Sequence, residues 1–426
     1  MNTGPNTCDN SSYRTVHNGL LRMHRLLIEG KHESDEVQAI RDATDEPWNE
    51  LSEDERKSIQ GLSQDLYELE GLKPNALSRE SPTELQQQVD DAVQARDAKQ
   101  FERALALLRA AQGYGSPSRV SYLRGSIWMQ KKEPKTAVLF FKHAVNEAPN
   151  DEYLRSAWLD CLNIAYPEEG RIEAAKILEA SDSFAPSVVA SACEIEFLAT
   201  SASSDIDSLP VYKKLIPILE TTLARIEKRS PARPDPTSFI LSILAACNEH
   251  LRFIDRAFEC YSAAIKLEPT NSTLLVARGK LMYGSNPSAL TDFTDAISLG
   301  TLLVWPYFFL AHYHIGVNQH REAWELSQEG LRLKSPIRVR SELYEFRAIA
   351  EAHLGFPETI VRRTFEQAIR TDVTNERAVR NLTIFEDILR NHSTEIEAGR
   401  WETPTEIAVR GEVRDIFGPA IAGVLN

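Results

Sequence analysis

The densest group of metal-ligating side chains in this 426-residue sequence is His312, His314 and His320. Converging imidazoles can hold a zinc ion. At about 100° per residue, however, His312 and His314 point about 200° apart on a helix and cannot chelate one ion from it. The five cysteines, Cys8, Cys161, Cys193, Cys247 and Cys260, form no Cys-x-x-Cys pair. So sparse and odd a set reads as reduced thiols, the last four as buried filler. Adjacent carboxylates at Glu168-Glu169 and Asp45-Glu46 fall where loops are expected and read as solvated. No His-Glu-x-x-His, Gly-x-Ser-x-Gly, phosphate-loop or Gly-x-Gly-x-x-Gly pattern is present. The expectation is a chain that is not an enzyme, with no metal site and no cofactor. Asn-x-Ser/Thr sequons at Asn271 and Asn381 read as chance matches.

The residues that organise the chain are small ones. A small residue, Ala twelve on, an aromatic or Leu four on, and Ala three on recur as Gly125–Ala137–Phe141–Ala144 and Ala245–Ala257–Tyr261–Ala264. Pro149 and Pro269 follow, where a fixed φ and a missing N–H stop a helix. Weaker copies run Ala92–Ala104–Leu108–Ala111 and Ala311–Ala323–Ser327–Gly330. This spacing describes two short antiparallel helices that touch at small side chains, with a bulky one filling the gap beside them. The small position falls at 92, 125, 159, 245, 279, 311 and 348, in steps of 33, 34, 86, 34, 32 and 37 residues. The long step accommodates two irregular units, with an extended connector at the Pro-rich 230–236 and a displaced register near 171–181. Apolar residues recur at helical spacing, as in Phe101–Leu108, and nothing alternates with period two, so almost no strand is expected.

The pattern resembles the tetratricopeptide repeat, whose period is about 34 residues. The resemblance implies an all-α fold, a right-handed α-solenoid of stacked helix-turn-helix repeats with helical N-terminal and C-terminal flanks, because such a unit must bury its apolar face on its neighbours. Six or seven repeats are expected over 85–390. In this family the first helix of each pair lines the concave face. Positions 2, 5, 9 and 12 then fall on Arg119, Tyr122, Ser126 and Met129; on Thr273, Val276, Lys280 and Tyr283; and on Trp305, Phe308, His312 and Ile315. Aromatics and Arg among them suit a partner-binding groove for a helical or extended peptide, the alternative being that Trp305, Phe308 and Tyr122 only pack on neighbouring repeats. One version of the family grips a peptide carboxylate with a Lys/Asn/Arg clamp. The matching positions here are Val89, Val93 and Leu123, or Ser242, Ala246 and Val276, so no clamp is expected.

The net charge is −14, and residues 31–80 hold fourteen acidic against six basic residues. A nucleic-acid partner needs clustered positive charge, so none is expected, and the acidic stretch reads as a solvated surface. No apolar run reaches the roughly 18–20 residues of a membrane span. The start lacks a basic flank and an apolar core, and a cytoplasmic location is expected.

Flanks complete the expected organisation: a disordered N-terminus over 1–15, a helical module over 16–72, a linker over 73–84, and an amphipathic tail over 391–426. In the module, Ser52 with Glu55 three residues on forms a capping-box pattern, followed by Ile59, Leu62, Leu66 and Leu69 at helical spacing. The module reads as a cap on the first repeat, or as a separate partner-binding element. In the tail, Ile407, Val409, Val413, Ile416 and Phe417 could share one side of a helix starting near Pro404. It would pack on the last repeat, or fold back into the groove and compete with ligand. Two function classes follow: a non-catalytic adaptor that binds other proteins through the groove, or a regulatory subunit that controls a partner enzyme through the module or the tail. Oligomeric state is not legible.

Overall fold

The computed structural model describes residues 10–31, 34–69, 82–111, 117–202, 209–227, 236–390 and 401–404. Those residues form twenty α-helices and no strand. The first ten are α1 (Ser11–Ile28), α2 (Asp35–Glu50), α3 (Glu53–Leu69), α4 (Pro82–Asp97), α5 (Phe101–Ala110), α6 (Pro117–Gln130), α7 (Pro134–Glu147), α8 (Glu152–Ala165), α9 (Pro167–Glu179) and α10 (Pro186–Ala202). The others are α11 (Leu209–Glu227), α12 (Thr237–His250), α13 (Ile254–Leu267), α14 (Ser272–Met282), α15 (Ser288–Ser298), α16 (Trp305–Gly316), α17 (His320–Arg332), α18 (Ile337–His353), α19 (Glu358–Thr371) and α20 (Glu376–Arg390). None of the described helices is long and apolar enough to cross a membrane. The chain divides into two compact units, residues 1–195 and 196–424.

The first unit opens on α1–α3. Helix α1 starts earlier than the expected end of disorder at residue 15, because the Asn10 side chain accepts from the Ser12 N–H at 3.0 Å and caps it; residues 1–9 lie outside the described ones. The capping box forms as expected: the Ser52 N–H donates to Glu55 Oε2 at 2.8 Å, and the Glu55 N–H to Ser52 Oγ at 3.3 Å. These helices are continuous with those that follow, since Leu62 and Leu66 share one apolar cluster with Val89, Leu105, Trp128 and Phe141. Two residues of the acidic stretch depart from a solvated face. Glu55 is buried in its box, and Asp65 is fully buried, accepting from Arg109 Nε and Nη2 at 2.8 Å each. Such bidentate pairing offsets the desolvation of both charges.

Within each unit most helices from α4 onward pack on a neighbour in sequence. Within the first unit these contacts include α4 with α5, α6 with α7 and α8 with α9; within the second, α12 with α13, α14 with α15, α16 with α17 and α18 with α19. The recurrent spacing has a direct steric cause. A Cβ on Gly125 would sit 2.9 Å from Phe141 Cδ1, and one on Gly279 would sit 2.7 Å from Phe293 Cε1. The two backbones approach only because the first helix has no side chain there. Ala104, Ala137, Phe141, Ala144, Ala245, Ala257, Tyr261, Ala264, Ala311 and Ala323 are all fully buried.

The turn between the two helices recurs in six of the pairs. Lys99, Lys132, Arg252 and Asn318 have φ of 58°, 62°, 64° and 59°, and Gly284 and Gly355 have 77° and 74°. All but Gly284 stand seven residues after the small position. At these sites the next residue's N–H reaches back to the helix end: Gln100 to Ala95 O at 2.8 Å, Glu133 to Trp128 O at 2.9 Å, Phe253 to Asn248 O at 2.8 Å, Gln319 to His314 O at 2.9 Å and Phe356 to Glu351 O at 3.0 Å. This is a Schellman ending that satisfies last-turn carbonyls and reverses the chain in few residues.

Eight helix pairs precede α20 among the described residues, against an expectation of six or seven. The irregular stretch holds α8/α9 and α10/α11. Its spacing is hidden because Leu159 stands at the small position and the close approach moves elsewhere, a Cβ on Gly170 falling 2.5 Å from Asn163 Cα. Of the Pro-rich connector only Pro236 is described, where it precedes α12.

Candidate functional site

Helices α16, α18 and α20 of the second unit pack in order, α16 on α18 and α18 on α20. Their sequences place a polar strip among apolar neighbours. On α18, Glu342 and Glu345 lie one turn apart; on α20, so do Arg377 and Asn381. The Glu345 carboxylate is fully buried and accepts from Arg377 Nε at 2.9 Å, Arg377 Nη2 at 2.8 Å, Asn375 Nδ2 at 3.2 Å and Asn381 Nδ2 at 2.7 Å. Arg377 Nη2 also lies 3.1 Å from Glu342 Oε1. Burial pushes the Glu342 carboxyl above the usual carboxylate range, with Arg377 opposing it.

This network fixes the Asn381 amide. Its Nδ2 must face the acceptor-only Glu345, which turns Oδ1 the other way. Asn381 is fully buried, and a short length of irregular chain, residues 401–404, lies against it. The Glu402 N–H donates to Asn381 Oδ1 at 2.9 Å, while Asn381 Nδ2 donates to the Glu402 carbonyl at 2.8 Å. One carboxamide thus satisfies both polar groups of one residue's backbone, as a neighbouring strand would.

The rest of the segment is held as specifically. Trp401 is 9 % exposed and stacks on Phe365 with ring centroids 5.9 Å apart. Its indole N–H donates to His353 Nε2 at 2.7 Å. Glu402 Oε2 accepts from Arg380 Nε at 2.7 Å. Thr403 faces solvent. His312 Nε2 donates to the Pro404 carbonyl at 2.8 Å, and its Nδ1 lies 2.6 Å from the Tyr283 hydroxyl, which fixes the tautomer. The segment therefore touches α16, α18, α19 and α20, where the first expectation for the tail was packing on the last repeat. Ile407, Val409, Val413, Ile416 and Phe417 lie outside the described residues.

The residues expected to line a groove divide into surface and core. Arg119 is exposed, 3.8 Å from Asp90 Oδ1. Tyr122 is half-buried, its hydroxyl 2.7 Å from that of Tyr153. Met129 Sδ accepts from Cys161 Sγ at 3.4 Å, and Lys280 Nζ sits 2.8 Å from Glu249 Oε1. Ser126, Tyr283, Trp305, Phe308 and His312 are buried and correct the expectation of an open surface at these positions. Ser126 Oγ is spent on the Leu123 carbonyl at 2.8 Å. Trp305 and Phe308 join Phe309 and Phe346 in the core. The reason lies in α16, which is apolar on nearly every side and packs against α15, α17 and α18. Of the nine, His312 alone reaches the segment.

The three neighbouring histidines do not converge. His314 Nδ1 pairs with Gln319 Oε1 at 2.6 Å, and His320 stacks on His353. Cys161, Cys193, Cys247 and Cys260 are free thiols, the first three buried; burial pushes the Cys247 thiol up to about 12. Cys8 lies outside the described residues. Asn271 accepts from the Thr273 and Leu274 N–H groups at 3.1 and 3.4 Å and caps α14. Glu345, His353 and Phe365 were not singled out from sequence, and Asn381 only as a sequon, because polar and aromatic residues at helical spacing carry no mark of what they face. Neither a protein-family model nor a curated protein matches the sequence.

Proposed function

We propose that the chain is a non-catalytic protein-binding scaffold of the tetratricopeptide type. Its helix pairs stack as a right-handed solenoid and hold an extended segment of a partner protein on the face of α16, α18 and α20. The observation that carries this reading is the two-way pairing of the Asn381 carboxamide with the backbone of Glu402. A fully buried amide held by a buried Glu–Arg pair, with both ends turned to the main chain of one residue, is a device for gripping backbone. Recurrent Schellman turns and close contacts at Gly125 and Gly279 support the repeat assignment. The partners are proteins; neither nucleic acid nor membrane insertion is part of the reading, and the working location is the cytoplasm.

The test is affinity capture from cell extract with quantitative mass spectrometry, comparing the wild-type chain with Asn381→Ala. The expected result is a set of proteins captured by the wild type and lost from a variant that still melts cooperatively. Equal recovery by both would remove the reading.

A further inference from the structure

We propose that residues 401–404 are a built-in copy of the ligand: the face of α16, α18 and α20 recognises an extended segment in which a tryptophan is followed by an acidic residue, and a partner segment of that chemistry binds by displacing the chain's own. The inference rests on the scaffold reading and names the partner chemistry for its site.

Each contact states one requirement on the ligand. The bed beside Phe365 takes a flat aromatic side chain, and His353 Nε2 accepts an N–H from it, which an indole has and a phenyl ring lacks. Arg380, half exposed at the rim, selects a carboxylate at the next position. Asn381 takes that residue's N–H and carbonyl, so a proline cannot stand there. The third residue meets solvent and is unrestricted. At the fourth, His312 takes a main-chain carbonyl. Two side chains are read and three main-chain groups are held.

Occupation by the chain's own segment is competitive. Ten residues, 391–400, join Trp401 to α20 in sequence, so the segment competes from within the same chain at an effective concentration on the order of 1 mM. Were the intrinsic dissociation constant of the segment about 0.1 mM, a competing partner would bind about tenfold more weakly than to an emptied face.

The experiment uses the full chain and a fluorescein-labelled peptide of residues 399–406, read by fluorescence polarisation. Two emptied chains are made: Trp401→Ala/Glu402→Arg, and Glu402→Arg alone, which sets like charges face to face at Arg380 without touching the core. The peptide is expected to bind at least one emptied chain about tenfold or more tighter than the wild type. Adding Asn381→Ala should abolish the gain, and a Trp→Phe peptide should bind about tenfold more weakly. If the emptied chains melt cooperatively yet bind the peptide no better than the wild type does, or if Asn381→Ala leaves binding unchanged, the inference is overturned. Affinity capture separates this from the scaffold reading. Proteins lost from Asn381→Ala but recovered equally by wild-type and emptied chains would keep the scaffold and remove the built-in ligand. If Asn381→Ala loses none, the scaffold reading itself fails.

Discussion

The imidazoles of His320 and His353 lie face to face, with centroids 3.8 Å apart and planes 5° from parallel. Two such rings cannot both carry charge at that distance. Burial, assisted by His320, lowers the His353 pKa to about 4, and burial also lowers that of His320. Neutral His353 keeps the lone pair that accepts the Trp401 indole N–H.

A pH dependence of segment docking follows. An unfolded chain protonates His353 near pH 6.5, whereas the folded chain resists until about pH 4. The stabilisation is therefore complete above about pH 6.5 and is lost as pH falls toward 4. The melting-temperature difference between the wild type and Trp401→Phe should be largest at pH 7 and should shrink as pH falls through 4 to 3, measured by differential scanning calorimetry. A constant difference across that range would dissociate the indole bond from the imidazole.

Asp160 and Glu194 carry the opposite sign. Both are buried, and burial pushes the Asp160 carboxyl up to about 7 and the Glu194 carboxyl well above its usual range. For Asp160 the unfolded value lies near 3.9, so the folded state holds more protons between there and about 7, and stability falls as pH rises through that window. The variant Asp160→Asn/Glu194→Gln should lose less stability than the wild type between pH 5 and pH 8 in urea titrations. Parallel pH profiles would exclude protonated carboxyls as the cause.

Lys132 and Arg252 are exposed and held in the left-handed region, where a Cβ is costly. Substituting either by Gly should stabilise the chain by about 0.5–1 kcal/mol, while Gly355→Ala, at φ 74°, should destabilise it by about 1 kcal/mol. Thermal melts of the three single variants check both signs, and a loss in the two Gly variants would refute the strain at these turns.

Gly279→Ala forces a methyl against Phe293 and should cost about 1–3 kcal/mol. The clash is with one ring, so Phe293→Leu should recover part of the loss in the double variant, giving a favourable coupling energy. Strict additivity in chemical denaturation would place the strain elsewhere.

What could be read in advance was the contact within a pair. Gly125 and Phe141 lie sixteen residues apart, and both helices' periodicities converge on that contact, so burial of the whole Gly125–Ala144 set was legible. The faces between pairs were not. Counting positions put Trp305 and Phe308 in a groove, although the apolar character of α16 all round requires burial. Glu345 meets Asn381 across 36 residues, and His312 meets Pro404 across 92. Both separations run far beyond a single helix, and each contact depends on how successive pairs superpose. The buried Asn381 matched nothing in sequence but a glycosylation sequon.

Because Asn381 takes hold of the N–H and carbonyl of Glu402 and leaves that residue's side chain to Arg380, backbone hold and side-chain reading reside in different groups. On the proposed reading, partners diverge at half of the four positions without losing their hold. Conversely, exchanging Arg380 for a neutral or acidic residue would, on that reading, redirect the choice of partner while the clasp itself stayed intact.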